Sequence, residues 1–263
     1  MKTDDDLATY DVSHLKLGKR AAVKPAGLAH VTAYTAAGFP APPATFGTLP
    51  VLQAIPWRMD GNDALNNCVI AGVDHVIARE NAIEHTNDPR PGLAIIESQY
   101  NYFSPNNDGC VMADVLQSWR SKGLFHHMPA GPNQISQYAP FDYGNTTELK
   151  QVIAYLGNAY LGIECPVSAQ QQFVKQQQTG QLVPWTVVNG SSIDGGHCIV
   201  AVGYTAQGLL CVTWGDIVVV TWPFVAQYCD EAWAVLTHEI VEHGADTFGL
   251  DVAKLHADLD ALE

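Results

Sequence analysis

Cys68 and His197 are the two residues whose types and settings could form a thiol nucleophile and its base. Cys68 closes a polar, turn-forming run, Gly61-Asn62-Asp63-Ala64-Leu65-Asn66-Asn67, and opens an apolar segment beginning Val69-Ile70-Ala71. An ordinary thiol has a pKa of ~8.5, and a helix N-terminus plus a nearby imidazolium lowers it to ~3.5–7.5, giving a standing thiolate. His197 lies in Gly195-Gly196-His197-Cys198-Ile199-Val200-Ala201-Val202-Gly203-Tyr204, where a loop becomes a strand. A base so far along the chain from its nucleophile must be brought to it by the fold. Amide cleavage also needs donors for the oxyanion, and the backbone N–H of Cys68 can supply one.

Other arrangements of reactive side chains fail on geometry. His238-Glu239-Ile240-Val241-Glu242-His243 is similar to a zinc-protease helix, but histidines five apart are separated by about 140° on a helix. His126 and His127 are adjacent and point apart in any regular element. Six cysteines without a CxxC pair do not make a disulfide scaffold at this length, so all but Cys68 read as small buried hydrophobes. No metal or cofactor is expected.

The elements that must position the pair are legible from period. Val69, Val73, Val76, Ile77 and Ile83 recur at helical spacing to about His85, with Asn66 or Asn67 as N-cap, which puts Cys68 in the first turn. Residues 98–103 and 111–122 continue the helical region, with Gly123 as a stop. Residues 146–156 read as another helix and 159–165 as a strand; the glutamine-rich 168–178 reads as an exposed helix. From 197 the period becomes two: strands at 197–204 and 209–214 about a turn at 206–208, then 217–221 and 232–236, with a helix between them that Pro223 begins.

Residues 36–47, rich in Pro, Ala and Gly, favour extended, polyproline-like chain. Residues 1–50 are therefore expected to form an arm that wraps its own domain or reaches a neighbouring subunit, with Phe39 and Phe46 as docking points.

Composition excludes several classes. The chain has 263 residues, 47% hydrophobic and 15% charged, as in a globular protein. Its net charge of −14 opposes binding to nucleic acid through phosphates. No apolar run approaches the ~20 residues that span a bilayer. The start, Met1-Lys2-Thr3-Asp4-Asp5-Asp6, lacks the order of a secretory signal, so cytoplasmic synthesis is expected.

The order Cys then His, the helix opened by the cysteine, Gly-Gly-His-x-x-x-x-Val-Gly-Tyr and the return strand ending Thr213-Trp214-Gly215 resemble papain-like cysteine peptidases over about residues 50–240. The resemblance implies an amide side chain six residues before the cysteine in the oxyanion hole, here Asn62. It also shows departures. The family's aromatic after the cysteine is replaced by Val69, its Gln by the shorter Asn62, and Val212 falls where an Asn should orient the histidine. Asp216 is the first substitute expected and Thr213 the weaker one. A closer likeness is to uncharacterised papain-like proteins of tailed phages and prophages, through Gly61-Asn62-Asp63, Gly195-Gly196-His197, Thr213-Trp214-Gly215, Tyr228-Cys229-Asp230-Glu231-Ala232 and the terminal Leu255-His256-Ala257-Asp258-Leu259.

What this implies is an α+β, papain-like fold. The arm at 1–50 precedes a domain at 51–263, divided into a mainly helical lobe (51–158), an antiparallel sheet or half-barrel lobe (159–240) and a C-terminal tail and helix (241–263). The expected activity is amide hydrolysis by Cys68, His197 and Asn62 on a peptide, protein or peptidoglycan cross-peptide. The alternative is an inactive structural or interaction protein of a phage particle, binding neighbouring virion subunits through the arm. Acyl transfer, as in arylamine acetyltransferases, calls for a much shorter spacing between cysteine and histidine.

Overall fold

The computed structural model describes residues 7, 9–35, 38–86, 89–238, 240–241 and 249–262. In chain order the elements are α1 (Leu49–Gln53), α2 (Cys68–Glu84), α3 (Leu93–Phe103), α4 (Met112–Ser121), β1 (Gln137–Pro140), α5 (Thr146–Leu156), β2 (Ala159–Pro166), α6 (Val167–Thr179), β3 (Ile193–Tyr204), β4 (Gly208–Thr213), β5 (Asp216–Thr221), α7 (Trp222–Tyr228), β6 (Cys229–Leu236) and α8 (Val252–Asp260). The strands form one antiparallel sheet in the order β1-β6-β2-β3-β4-β5. The short edge strand β1 and helix α1 carry too few residues to show a period.

Helix α2 is the centre of the molecule. Every residue from Asn67 to Glu80 is buried, so its polar side chains need partners inside the protein. Asp74 pairs with Arg58 and Arg90, His75 Nε2 meets the Arg58 carbonyl at 2.9 Å, and Glu80 takes an amide bond from Asn158. The first turn of α2 packs on the sheet: the Tyr160 hydroxyl of β2 donates to the Val69 carbonyl. His85, at φ +55°, ends the helix in the left-handed conformation.

The glutamine-rich helix α6 departs from the exposed reading. Gln170, Gln172 and Gln176 are buried, because their amides bond Asp194, Thr186, Asp216 and the Ile217 carbonyl across the sheet lobe. Asn145, in an Asn-Thr-Thr run, is the N-cap of α5 and accepts from the N–H groups of Thr147 and Glu148. All six cysteines are free and buried. Glu239, Glu242 and His243 lie outside the described residues, and no metal-holding cluster occurs among the described ones. Nor is any described helix long and apolar enough to cross a membrane.

The arm lies on its own chain. Phe39 stacks on Tyr155 of α5, and the Tyr155 hydroxyl and Gln151 amide donate to carbonyls of residues 39–41. Phe46 exchanges two backbone bonds with Tyr204 at the end of β3. Upstream of these points, residues 16–20 pass between the start of α2 and the start of β3.

Candidate active site

Cys68 is the first residue of α2, as its sequence setting predicts. Asn67 takes the N-cap position but does not cap through its side chain; its amide instead donates to the Asp60 carbonyl at 2.8 Å. This bond fixes the loop ahead of the cysteine. Asp60 and Gly61 both have positive φ, and the turns they make carry Asn62 back toward the helix start. The Asp60 carboxylate lies 3.2 Å from Arg58, which also holds Asp74 on α2. Burial, with the charge of Asp74 beside it, raises the Asp60 pKa, while hydrogen bonds from Arg90 and Asp60 hold Asp74 low against its own burial. Loop and helix are thus joined by a buried ionic network. Asn62 is itself buried, and its amide donates to the Leu65 carbonyl at 3.1 Å.

His197 sits on β3 with no solvent exposure. Its ring stacks on the Trp214 indole at 4.2 Å between centroids and 20° between planes. Nε2 lies 2.6 Å from the Thr213 hydroxyl, and Nδ1 has no hydrogen-bond partner. Thr213, the weaker sequence candidate, is therefore the residue that fixes the ring.

Asp216, the preferred candidate, does not reach it. Trp214 and Gly215 form a two-residue turn, both with positive φ, which folds Asp216 back opposite Thr213 as the first residue of β5. There its carboxylate accepts from Gln176 and Gln177. Val212 faces away because neighbouring strand residues point to opposite sides. A bulge between Ala201 and Gly203 shifts the β3–β4 register by one, which sequence spacing does not reveal.

Against its burial, the backbone N–H groups of Cys198, one residue beyond His197 on β3, and of Lys19 favour the Cys68 anion. Burial dominates nonetheless and pushes the thiol up to about 12. Burial, assisted by the charge of His75, lowers His197 to about 3. Both groups are neutral at pH 7, and the standing thiolate expected from the helix N-terminus is absent in this arrangement. Desolvation outweighs the helix N-terminus.

The arm runs across this place. Lys16 N–H donates to the Asn62 carbonyl, and the Lys16 carbonyl accepts from the Trp214 indole that covers His197. Gly18 and Lys19 N–H both donate to the Gly196 carbonyl, while Gly18 and Arg20 exchange bonds with Cys110 on the opposite wall. The fit leaves no room for a β-carbon. One on Gly18, whose φ is +122°, would come within 2.0 Å of the Asn66 carbonyl oxygen, and one on Gly196 within 2.2 Å of that of Lys19. Cys68, His197 and Asn62 are brought to one cleft, which residues 16–20 fill. Sequence reasoning named Trp214 and Gly196 only as members of the Thr-Trp-Gly and Gly-Gly-His motifs and did not single out Lys19.

No family model and no curated protein matches the chain, whereas solved structures do. Xylellain, a cysteine protease from Xylella fastidiosa, aligns at a TM-score of 0.63 and 13% identity, over 85% of this chain and 97% of that one. A procathepsin B from Trypanosoma congolense aligns at 0.58 and 12%, over 85% and 86%. A digestive procathepsin L from the larval midgut of Tenebrio molitor aligns at 0.57 and 11%, over 90% and 79%. Helices and antiparallel sheet are thus assembled as in papain-like cysteine proteases.

Proposed function

We propose that the chain is a papain-like cysteine peptidase or amidase, held closed by its own arm. The observation that carries this reading is the setting of Cys68 and His197. The thiol opens a buried helix beside β3, and the imidazole is fixed by Thr213 and Trp214 with Nδ1 left unbonded. A hydrogen-bonded, stacked histidine with one free nitrogen is arranged to take and return a proton.

In the open state, His197 Nδ1 takes the Cys68 proton and the sulfur attacks the amide carbonyl carbon. The Cys68 N–H, among the helix donors that lack an intrahelical partner, and the second N–H of the Asn62 amide hold the oxyanion. The C–N bond breaks as the imidazolium protonates the leaving amine. His197 then deprotonates water, which cleaves the thioester, releases the acid and returns the proton to the thiol. The substrate is a peptide or protein, or a peptidoglycan cross-peptide. Sequence likeness to phage and prophage proteins supports a phage-associated role, with neighbouring virion subunits as partners.

A second reading, an inactive structural member of the fold, is favoured by one observation: both groups are neutral under the filled cleft. Iodoacetamide labelling of full-length Gly18→Val, whose new side chain displaces the arm, decides between them. Expected is selective labelling of Cys68 below pH 7, abolished by His197→Ala. A labelling rate that follows an ordinary thiol of pKa ~8.5 sinks the enzyme reading.

A further inference from the structure

The arm fills the cleft with one long side chain whose charge is wholly enclosed. The Lys19 side chain has 0% exposure, and its ammonium lies 2.7 Å from Asp230 and 3.5 Å from Glu231. Burial opposes that charge, but the hydrogen bond to Asp230 and the charges of Asp230, Glu231 and Glu164 more than offset it, so its pKa is raised. The backbone of the same residue is held by Gly196 and Cys110 next to the Cys68 sulfur.

The pocket is built for this shape and charge. Asp230 and Glu231 are consecutive on β6, and a regular strand would send them to opposite faces. A bulge opposite Gly162 and Ile163 leaves Asp230 as the extra residue, so both carboxylates reach the ammonium. Gly162 forms the wall: a β-carbon there would meet the Lys19 Cδ at 2.6 Å. Capacity for further donors remains. Glu231 is 3% exposed, and its Oε1 has no hydrogen-bond partner, while Oε2 accepts from Trp233.

We propose that the pocket of Gly162, Gly196, Asp230 and Glu231 is the specificity pocket of the cleft, taking a lysine or arginine side chain of the substrate once Lys19 has left it. The inference rests on the hydrolase reading for the word substrate, and it names the class that reading leaves open. A peptide lying along Gly196 and Cys110, as residues 18–20 do, presents one side chain to this pocket, and only a cation satisfies its two carboxylates. An aliphatic side chain there leaves buried Glu231 and half-buried Asp230 without a counter-charge.

The test uses the full chain carrying Gly18→Val with Lys19→Ala, which displaces the arm from Gly196 and Cys110 and removes the competing lysine. Two fluorescent peptides copying residues 13–22 are compared by anisotropy, one with lysine at the place of residue 19 and one with norleucine. Expected is a preference for lysine on the order of 10- to 100-fold, abolished when Asp230→Asn and Glu231→Gln are added. Equal affinity, or binding of neither peptide, overturns the pocket. Should the double variant fail to fold, Gly18→Val alone carries the same comparison. Neither readout requires turnover, so the two claims fail separately. Lysine-selective binding with no cleavage of any peptide by either variant overturns the hydrolase and leaves the pocket. Cleavage indifferent to lysine overturns the pocket and leaves the hydrolase.

Discussion

The Nε2 atom of His197 and the hydroxyl of Thr213 lie 2.6 Å apart, with the Trp214 indole stacked over the imidazole. A hydroxyl can hold the ring in place, but it carries no charge to stabilise an imidazolium. Thr213 is a positioning residue.

Thr213→Ala in the arm-displaced chain is expected to lower kcat/KM by roughly 5- to 150-fold, corresponding to about 1–3 kcal/mol for one buried hydrogen bond. Thr213→Ser should restore most of it. The check is the pH–rate profile, whose limb for His197 shifts in the alanine variant and returns in the serine one. An unchanged profile assigns the hydroxyl to packing alone.

In the closed chain, Cys68 should resist iodoacetamide at neutral pH, since its thiol is buried and pushed up to about 12. Gly18→Val should raise the labelling rate by at least about 100-fold as the thiol, freed of the arm and paired with His197, falls below its ordinary range. Mass spectrometry of the labelled peptide reads the site, and equal rates in the two chains would show that the arm does not guard the thiol.

Acid should act through His197. Its folded pKa, near 3, lies below the unfolded ~6.5, so on acidification the unfolded chain takes up the proton first. This contribution to stability is complete above about pH 6.5 and is lost as pH falls toward 3, at up to about 1.4 kcal/mol per pH unit. His197→Gln should show a correspondingly shallower loss in urea melts over that range. Buried His75 is lowered in the same direction and is linked to His197 through its charge, so His75→Gln and the double variant complete the comparison. Parallel pH profiles would contradict the assignment.

Lys19→Met should destabilise the full chain by roughly 3–5 kcal/mol, because it leaves Asp230 and Glu231 facing an uncharged group. Adding Asp230→Asn and Glu231→Gln should recover part of that loss. Urea denaturation of the four-variant set measures the coupling, and additivity would deny the pairing.

Much of this was legible before the structure. Helix α5 over residues 146–156, the placement of Cys68 in the first turn of α2 and the β3–β4 hairpin follow from apolar period and turn residues, which act locally. The arm's course along its own domain agrees with one of its two expected roles. Thr213 ranked below Asp216 because of a one-residue bulge, which no hydrophobic pattern records because β4 is buried on both faces. The glutamines of α6 looked solvent-facing because an amide satisfied by another amide or a carboxylate reads, in sequence, like one satisfied by water. Lys19 escaped notice for a similar reason: its partners lie 211 and 212 positions away, and a buried lysine cannot be told from an exposed one until they meet.

Residues 18–20 bond to Gly196 on one wall of the cleft and to Cys110 on the other. A segment tied to both sides is a staple as well as a plug. Withdrawing it removes every one of those cross-links in a single event, so the open conformer that the proposed hydrolysis requires is also the one most exposed to unfolding and to degradation. Resistance to heat or protease measured on the closed chain therefore describes storage. The lifetime of the open conformer is a separate and shorter quantity, and under the proposed function it sets how much chemistry each molecule completes after opening.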